Sequence, residues 1–298
     1  MNKTCIIIVG ATASGKTDIA IEVAKYFNTE IISADSRQCF KELTIGVAKP
    51  SEAQLASVTH HFINSHNIHD NVSAADFEKY ALLKIETIFE KNNVAVMCGG
   101  TGLYIKAFTD GLDEIAETDA AIKNEIIKNY NEHGIEWLQQ KIKELDILFW
   151  EQGEIQNPQR LMRALEVIMN TGKSIILQQK KIKKLRGFNI IKLGLDIPRD
   201  ILYQRINNRV DVMREKGLEA EVKNLIPFKN LNALQTVGYR ELFDYFDGKI
   251  PQERAFELIK QNSRHYAKRQ LTWFKKDEEV KWLKPNEIMQ FIQNNISY

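Results

Sequence analysis

The sequence predicts an α/β protein, a P-loop-type parallel sheet core carrying a mainly helical insertion domain. Three observations predict it. Apolar runs that read as buried strands lead into functional-looking turns near residues 10, 35 and 100. From about Asp113 to Lys184 strand signals stop and only helical periodicity remains. Strand character then returns at Asn189-Ile190-Ile191-Lys192-Leu193-Gly194-Leu195-Asp196, so the helical stretch reads as an insertion after which the chain rejoins its first sheet. The expected division is 1–112 with 189–298 for the core and 113–188 for the insertion.

The first strand, Cys5-Ile6-Ile7-Ile8-Val9, runs into Gly10-Ala11-Thr12-Ala13-Ser14-Gly15-Lys16-Thr17. A helical pattern with Ile19, Val23 and Tyr26 follows at once. Strand, glycine-rich turn and helix is the context that a phosphate-binding loop of pattern G-x-x-x-x-G-K-[ST] requires. Glycines let backbone N–H groups curl around phosphate oxygens at the positive end of a helix. Lys16 adds a mobile charge, and the Thr17 hydroxyl is the expected ligand of Mg²⁺. The loop says phosphorylated ligand without saying which; ATP or another nucleotide is the usual occupant of such loops.

The second short strand delivers Asp35 to its C-terminal end, the edge of an open parallel sheet where ligands bind. Asp is also a common cap, and for this residue alone both readings stand. A helix is expected from about Ala74 to Lys91, then a buried strand Val94-Ala95-Val96-Met97-Cys98, ending in Gly99-Gly100-Thr101-Gly102. Lys16-Thr17, Asp35 and Thr101 thus gather at one sheet edge. His60-His61 invites a metal reading, but no Cys or carboxylate lies at ligand spacing, and zinc is not expected.

In the insertion, Ile122, Ile126 and Tyr130, then Leu138, Ile142, Leu145 and Phe149, mark amphipathic helices. Asn157-Pro158-Gln159-Arg160-Leu161-Met162-Arg163 starts another, with Leu161, Leu165 and Ile168 on its buried stripe and Arg160 and Arg163 on one face. The run from Lys180 to Arg186 is either a solvated face or a phosphate-backbone contact. Arg205 and Arg209 lie one turn apart on a later helix and can form surface salt bridges or reach a pyrophosphate. Near the end, residues 259–276 interleave cations, Lys268 and Arg269 among them, with Tyr266, Trp273 and Phe274; this suits a nucleic-acid surface or an ordinary solvated helix.

Composition narrows the class. At 298 residues, 44% hydrophobic and 27% charged, the chain is an ordinary globular protein, and a net charge of +2 identifies no polyanionic partner. Cys5, Cys39 and Cys98 sit in or beside apolar runs without metal-ligand spacing, as reduced thiols of a cytoplasmic protein would. No signal peptide is evident, and no apolar stretch approaches the ~20 residues that span a bilayer. A soluble monomer without a membrane partner is expected.

The ordered set GATASGKT, ADSRQ, IGVAKP, HHFIN, GGTGLY, NPQRLMRALEV, the DIPRD…RINNRV segment, TVGYRE and YAKRQLTWF resembles the tRNA dimethylallyltransferases, or tRNA isopentenyltransferases, from Gly10 to Phe274. The resemblance implies transfer of a dimethylallyl group from dimethylallyl pyrophosphate to N6 of the adenosine 3′-adjacent to the tRNA anticodon. It also implies an insertion that grips the anticodon stem-loop. Carried over by residue, it gives the donor's pyrophosphate to the 10–17 loop, the general base to Asp35, a catalytic role to Arg209, and a catalytic, tRNA-facing role to Thr101. It gives tRNA contacts to Asp35, Ser36, Arg37 and Gln38, to Lys123, to Gln159, Arg160, Leu161, Met162 and Arg163, to Gly238, Tyr239 and Arg240, and to Lys268 and Arg269. Departures are Ala11 for the usual proline, Asn64 for the usual aspartate, the Lys41-Glu42-Leu43-Thr44 stretch, and no appended zinc finger, so a compact bacterial-type member is implied.

The chemistry fits the residues independently. Adenine N6 is a poor nucleophile whose proton a carboxylate can accept as the bond forms. Departing pyrophosphate needs N–H groups, cations and Mg²⁺. Rival readings are a P-loop kinase of a nucleotide or small metabolite, a prenyltransferase of free AMP or ADP, and a non-catalytic NTP-dependent RNA-binding switch.

Overall fold

The computed structural model describes residues 3–113, 115, 118–179 and 182–296. The chain divides into two compact units, Met1–Thr109 with Leu185–Tyr298, and Asp110–Lys184. In the first unit the elements run β1 (Thr4–Val9), α1 (Lys16–Tyr26), β2 (Ile31–Ala34), α2 (Glu52–Ser57), β3 (His60–His61), α3 (Ala74–Phe89), β4 (Val94–Gly99) and α4 (Gly102–Asp110). The second unit holds α5 (Ala120–Leu145), α6 (Ile147–Gln152), α7 (Pro158–Thr171) and α8 (Ile175–Gln178). The chain then returns with β5 (Asn189–Leu195), α9 (Arg199–Glu215), α10 (Leu218–Asn224), α11 (Tyr239–Phe246), α12 (Gln252–Phe274), β6 (Val280–Leu283) and α13 (Ile288–Asn295).

All six strands are parallel, in the order β3-β2-β4-β1-β5-β6. Strand β1 is buried on both faces, which is why it reads as an unbroken apolar run. Its alternation is still visible: Cys5, Ile7 and Val9 enter one core cluster, Ile6 and Ile8 the other. Val9 pairs with Gly99 and Ala34 with the same glycine, so β1, β2 and β4 end level. Their next residues, Gly10, Asp35 and Gly100, therefore emerge along one edge.

Two strands escape the sequence reading. β3 is a two-residue edge strand, where His61 Nε2 meets Glu30 Oε2 at 2.5 Å and His60 Nδ1 meets the Val58 carbonyl at 2.8 Å. β6, Val-Lys-Trp-Leu, is too short and mixed to show period two. It is anchored by the buried Lys192 amine, which donates to Asp277 and Glu279 at 2.7 and 2.9 Å. Burial works to lower the Lys192 pKa, but these two bonds outweigh it and hold the amine above its ordinary value.

In the second unit Asn157 caps α7, its Oδ1 accepting the Gln159 and Arg160 amides, with Pro158 in the first turn. Ile126, Leu138, Ile142, Phe149, Leu161, Met162 and Leu165 form its core. Leu145, expected on the apolar stripe, ends α5 and is 48% exposed.

The level ending of β2 and β4 depends on Gly99, since a Cβ there would lie 2.1 Å from the Ala34 carbonyl oxygen. Gly99→Ala should cost about 2 kcal/mol or more through overpacking and lower the melting temperature by roughly 4–8 °C. A thermal melt identical to wild type would show that the strands can separate here without cost.

Candidate active site

The 10–17 loop folds as its pattern requires. Gly15 has φ +87° and opens α1, a conformation that costs glycine little. Ala13, at φ 63°, adopts the left-handed region although it has a Cβ, a strain that is found where function fixes the backbone. Ser14 Oγ is buried without a hydrogen-bond partner. The Lys16 amine donates to the Ala11 carbonyl at 3.2 Å. Desolvation by burial lowers its pKa, partly opposed by Cys98 and Asp35.

Both candidate arginines of α9 reach this loop. Arg209 Nη1 donates to Thr12 Oγ1 at 3.3 Å, and Arg205 Nη1 approaches the Ser14 carbonyl at 3.5 Å. Arg209 is the half-buried one and lines the cavity; burial lowers its pKa against the pull of Asp18.

Across the sheet edge, Asp35 Oδ1 accepts the Arg37 and Gln38 amides at 2.9 and 3.2 Å. The cap reading is met, and the same residue lines the cavity described below. One oxygen, Oδ1, fixes the turn. Thr101 Oγ1 accepts the Ser36 amide at 3.1 Å, lies 3.3 Å from Ser36 Oγ, and hydrogen-bonds Tyr266. Burial pushes the Tyr266 hydroxyl up to about 12. Gln38 Nε2 donates to the Val47 and Ala48 carbonyls, and Arg37 Nη1 to the Asn232 carbonyl.

A cavity of about 820 Å³ extends from the loop to the Asp35 turn; Lys16, Thr17, Asp35, Arg37, Arg209 and Arg240 are among the side chains that line it, and Thr101 and Arg205 are not. Gly238, at φ 97°, lines it too and donates its N–H to Glu241. A second groove of about 410 Å³ runs along α12 between Lys268, Arg269, Trp273 and Lys276, and Arg269 lines both. Thr17, Asp35 and Ser36 offer the first cavity hard oxygens of the kind Mg²⁺ takes beside substrate phosphates and water, so the donor set fits that ion.

Three expected tRNA contacts are corrected. Leu161 and Met162 lie in the core of the helical unit at 0% and 8% exposure. Tyr239 is fully buried, with its hydroxyl donating to Glu221 at 2.6 Å. Apolar bodies in a basic segment are placed by helical periodicity, and the periodicity here points them inward. Gln159, Arg160 and Lys123 are exposed in the helical unit. Arg163 is partly committed, donating to Thr118 and to Glu166 at 3.1 and 3.0 Å. Of the basic run, Lys180 and Lys181 lie outside the described residues, and Arg186 is spent on Glu78 and the Ala107 and Phe108 carbonyls.

Sequence reasoning missed Glu221, whose carboxylate accepts the Thr44, Ile45 and Gly46 amides at 3.1, 2.8 and 3.0 Å and so holds one wall of the cavity. It also missed Gln270, which bonds two loops of the site. Glu221 lies in no pattern that announces it, and Gln270, though inside the YAKRQLTWF stretch, carries no mark there that sets it apart from its exposed neighbours. Lys49 was read as a loop cation; its amine bonds Phe40, Lys41 and Asn64 oxygens, and burial lowers its pKa to about 8.

The family described as IPP transferase matches residues 38–277. A tRNA dimethylallyltransferase of Christiangramia forsetii is 50% identical over 303 residues, covering 100% of both chains. One of Flavobacterium johnsoniae is 47% identical, covering 99% of this chain and 98% of its own. The solved structure of the full-length tRNA isopentenylpyrophosphate transferase of Bacillus halodurans gives a TM-score of 0.71 at 35% identity, covering 98% of this chain and 96% of that one.

If Lys16 supplies the loop's charge, Lys16→Ala should weaken binding of inorganic pyrophosphate by about tenfold or more, the loss of a charge-assisted hydrogen bond. Burial lowers the Lys16 pKa, so as pH rises its charge is lost earlier than that of an ordinary lysine. Wild-type affinity should therefore begin to fall below the ordinary lysine value of 10.5. Calorimetric titration of both proteins across pH checks this; equal affinities would place the anion elsewhere.

Proposed function

Because the chain belongs to the IPP transferase family and is a tRNA-modifying prenyltransferase, we propose that it carries a dimethylallyl group from dimethylallyl pyrophosphate to N6 of the adenosine 3′-adjacent to the tRNA anticodon. The observation that carries this reading is the Asp35 carboxylate, pinned by two backbone amides in the same cavity as Lys16 and Arg209. A carboxylate opposite a phosphate loop would also serve a kinase, as base for its acceptor hydroxyl; what a small-molecule kinase has no use for is the basic-aromatic groove of α12, and the family match points away from one. The kinase reading is not favoured.

The roles follow from charge. The 10–17 loop, Lys16 and Arg209 form the positive end of the cavity and hold the donor's pyrophosphate. The adenine enters from the Asp35–Thr101 side, unstacked from its neighbours. As N6 bonds to C1 of the donor, the C1–O bond breaks and its electron pair leaves on pyrophosphate. The N6 proton passes to Asp35 Oδ2. Charge growing on the departing oxygens meets cations already in place, so little reorganisation is required. Mg²⁺ held through Thr17, when bound, supplies further neutralisation of the pyrophosphate.

The exposed Gln159, Arg160 and Lys123 are the natural tRNA contacts of the helical unit, and Arg37, Arg240, Lys268 and Arg269 those of the core. Buried Leu161, Met162 and Tyr239 act only by shaping the surfaces that carry them. No helix among the described residues is long and apolar enough to cross a membrane.

Asp35→Asn is nearly isosteric and keeps an oxygen for the turn, but removes the proton acceptor. Single-turnover transfer with saturating donor and tRNA should slow by 10²–10⁴-fold, about 3–5 kcal/mol of barrier, while the thermal melt stays near wild type. A variant that melts normally and transfers within about threefold of wild type would leave Asp35 as a cap alone.

A further inference from the structure

Gln270 lies on α12, the helix that carries the basic and aromatic residues, yet it is only 7% exposed. Its carboxamide is used at both ends. Oε1 accepts the Thr12 N–H at 2.8 Å, and Nε2 donates to the Gly100 carbonyl at 2.9 Å. Those partners belong to different strand-end loops, one after β1 and one after β4. The Thr12 amide is thus held by the protein itself, while Thr12 Oγ1 accepts from Arg209. Position 100 leaves room for this contact: a Cβ on Gly100 would lie 2.2 Å from Gln270 Nε2.

We infer that Gln270 is a positioning residue that sets the separation between the phosphate loop and the Gly100-Thr101 loop, and with it the distance between the donor's C1 and adenine N6. The inference rests on the assignment of donor and acceptor to those two loops. A carboxamide suits the task because it presents one acceptor and one donor in a rigid plane, and the loops offer one N–H and one carbonyl. Burial removes competing water, so the pair of bonds fixes both loops more firmly than surface contacts would. The reaction is sensitive to such placement, since about 1 Å of displacement costs on the order of 10²-fold in rate. Gln270 acts through the loops rather than on the reacting atoms.

Gln270→Glu and Gln270→Met, made in the full chain, test the inference. Both are expected to lower kcat for tRNA prenylation by about tenfold or more, with KM for donor and for tRNA within about threefold of wild type. As pH falls, Gln270→Glu should partly recover, because a protonated carboxyl regains an O–H to donate to the Gly100 carbonyl; Gln270→Met should show no such recovery. Hydrogen exchange, read without any reaction, should quicken in Gln270→Met in the segments covering residues 10–17 and 99–104. Unchanged kcat in both variants would overturn the inference. So would a raised donor KM at constant kcat, which makes Gln270 an ordinary member of the phosphate cradle, or unchanged exchange in both segments. Wild-type protein that transfers nothing to tRNA would defeat the functional reading instead, and exchange would still decide whether Gln270 ties the loops.

Discussion

The site depends on a close backbone approach at the carboxyl ends of β2 and β4. Gly99 pairs with Ala34, and the Thr101 amide donates to the Ala34 carbonyl at 3.2 Å. That junction sets Thr101 beside Ser36, and Ser36 next to Asp35. On the other side of β4, the pairing of Gly99 with Val9 brings the phosphate loop to the same level. Three loops meet because three parallel strands end together, which is the general reason open α/β sheets bind ligands at this edge.

Around that junction the charges are sorted by end. Lys16, Arg205 and Arg209 converge on the loop after β1, and the Asp35 carboxylate stands on the turn after β2. A phosphate leaving group needs cations and a proton to be removed needs an acceptor, and one cavity is lined by both. Burial lowers the pKa of both Lys16 and Arg209, against the pull of Asp35 on the first and Asp18 on the second. Cys39 and Cys98, close to the same groups, are pushed up to about 12 by burial and are inert thiols.

Much of this was legible in the chain. The 10–17 loop carries a spacing that backbone geometry demands, and strands β1, β2, β4 and β5 are buried enough to read as apolar runs. Asp35 and Thr101 were visible by their position at strand ends. Edge strands β3 and β6 were not, being too short for a period to emerge. Gln270 and Glu221 were illegible for another reason. Their partners are backbone amides and carbonyls far away in sequence, and a backbone group leaves no mark on residue type. Leu161, Met162 and Tyr239 mislead in the opposite sense: a segment that resembles an RNA-binding stretch also has to pack, and these three residues do the packing.

On the function proposed, this cavity joins an allylic pyrophosphate to an adenosine of tRNA. Nucleoside mass spectrometry of tRNA incubated with the protein, Mg²⁺ and dimethylallyl pyrophosphate tests it most directly. N6-isopentenyladenosine, formed only next to the anticodon and in step with released pyrophosphate, is the result expected. Unmodified tRNA, with ATP hydrolysed or its phosphate moved to a small acceptor instead, would contradict the account.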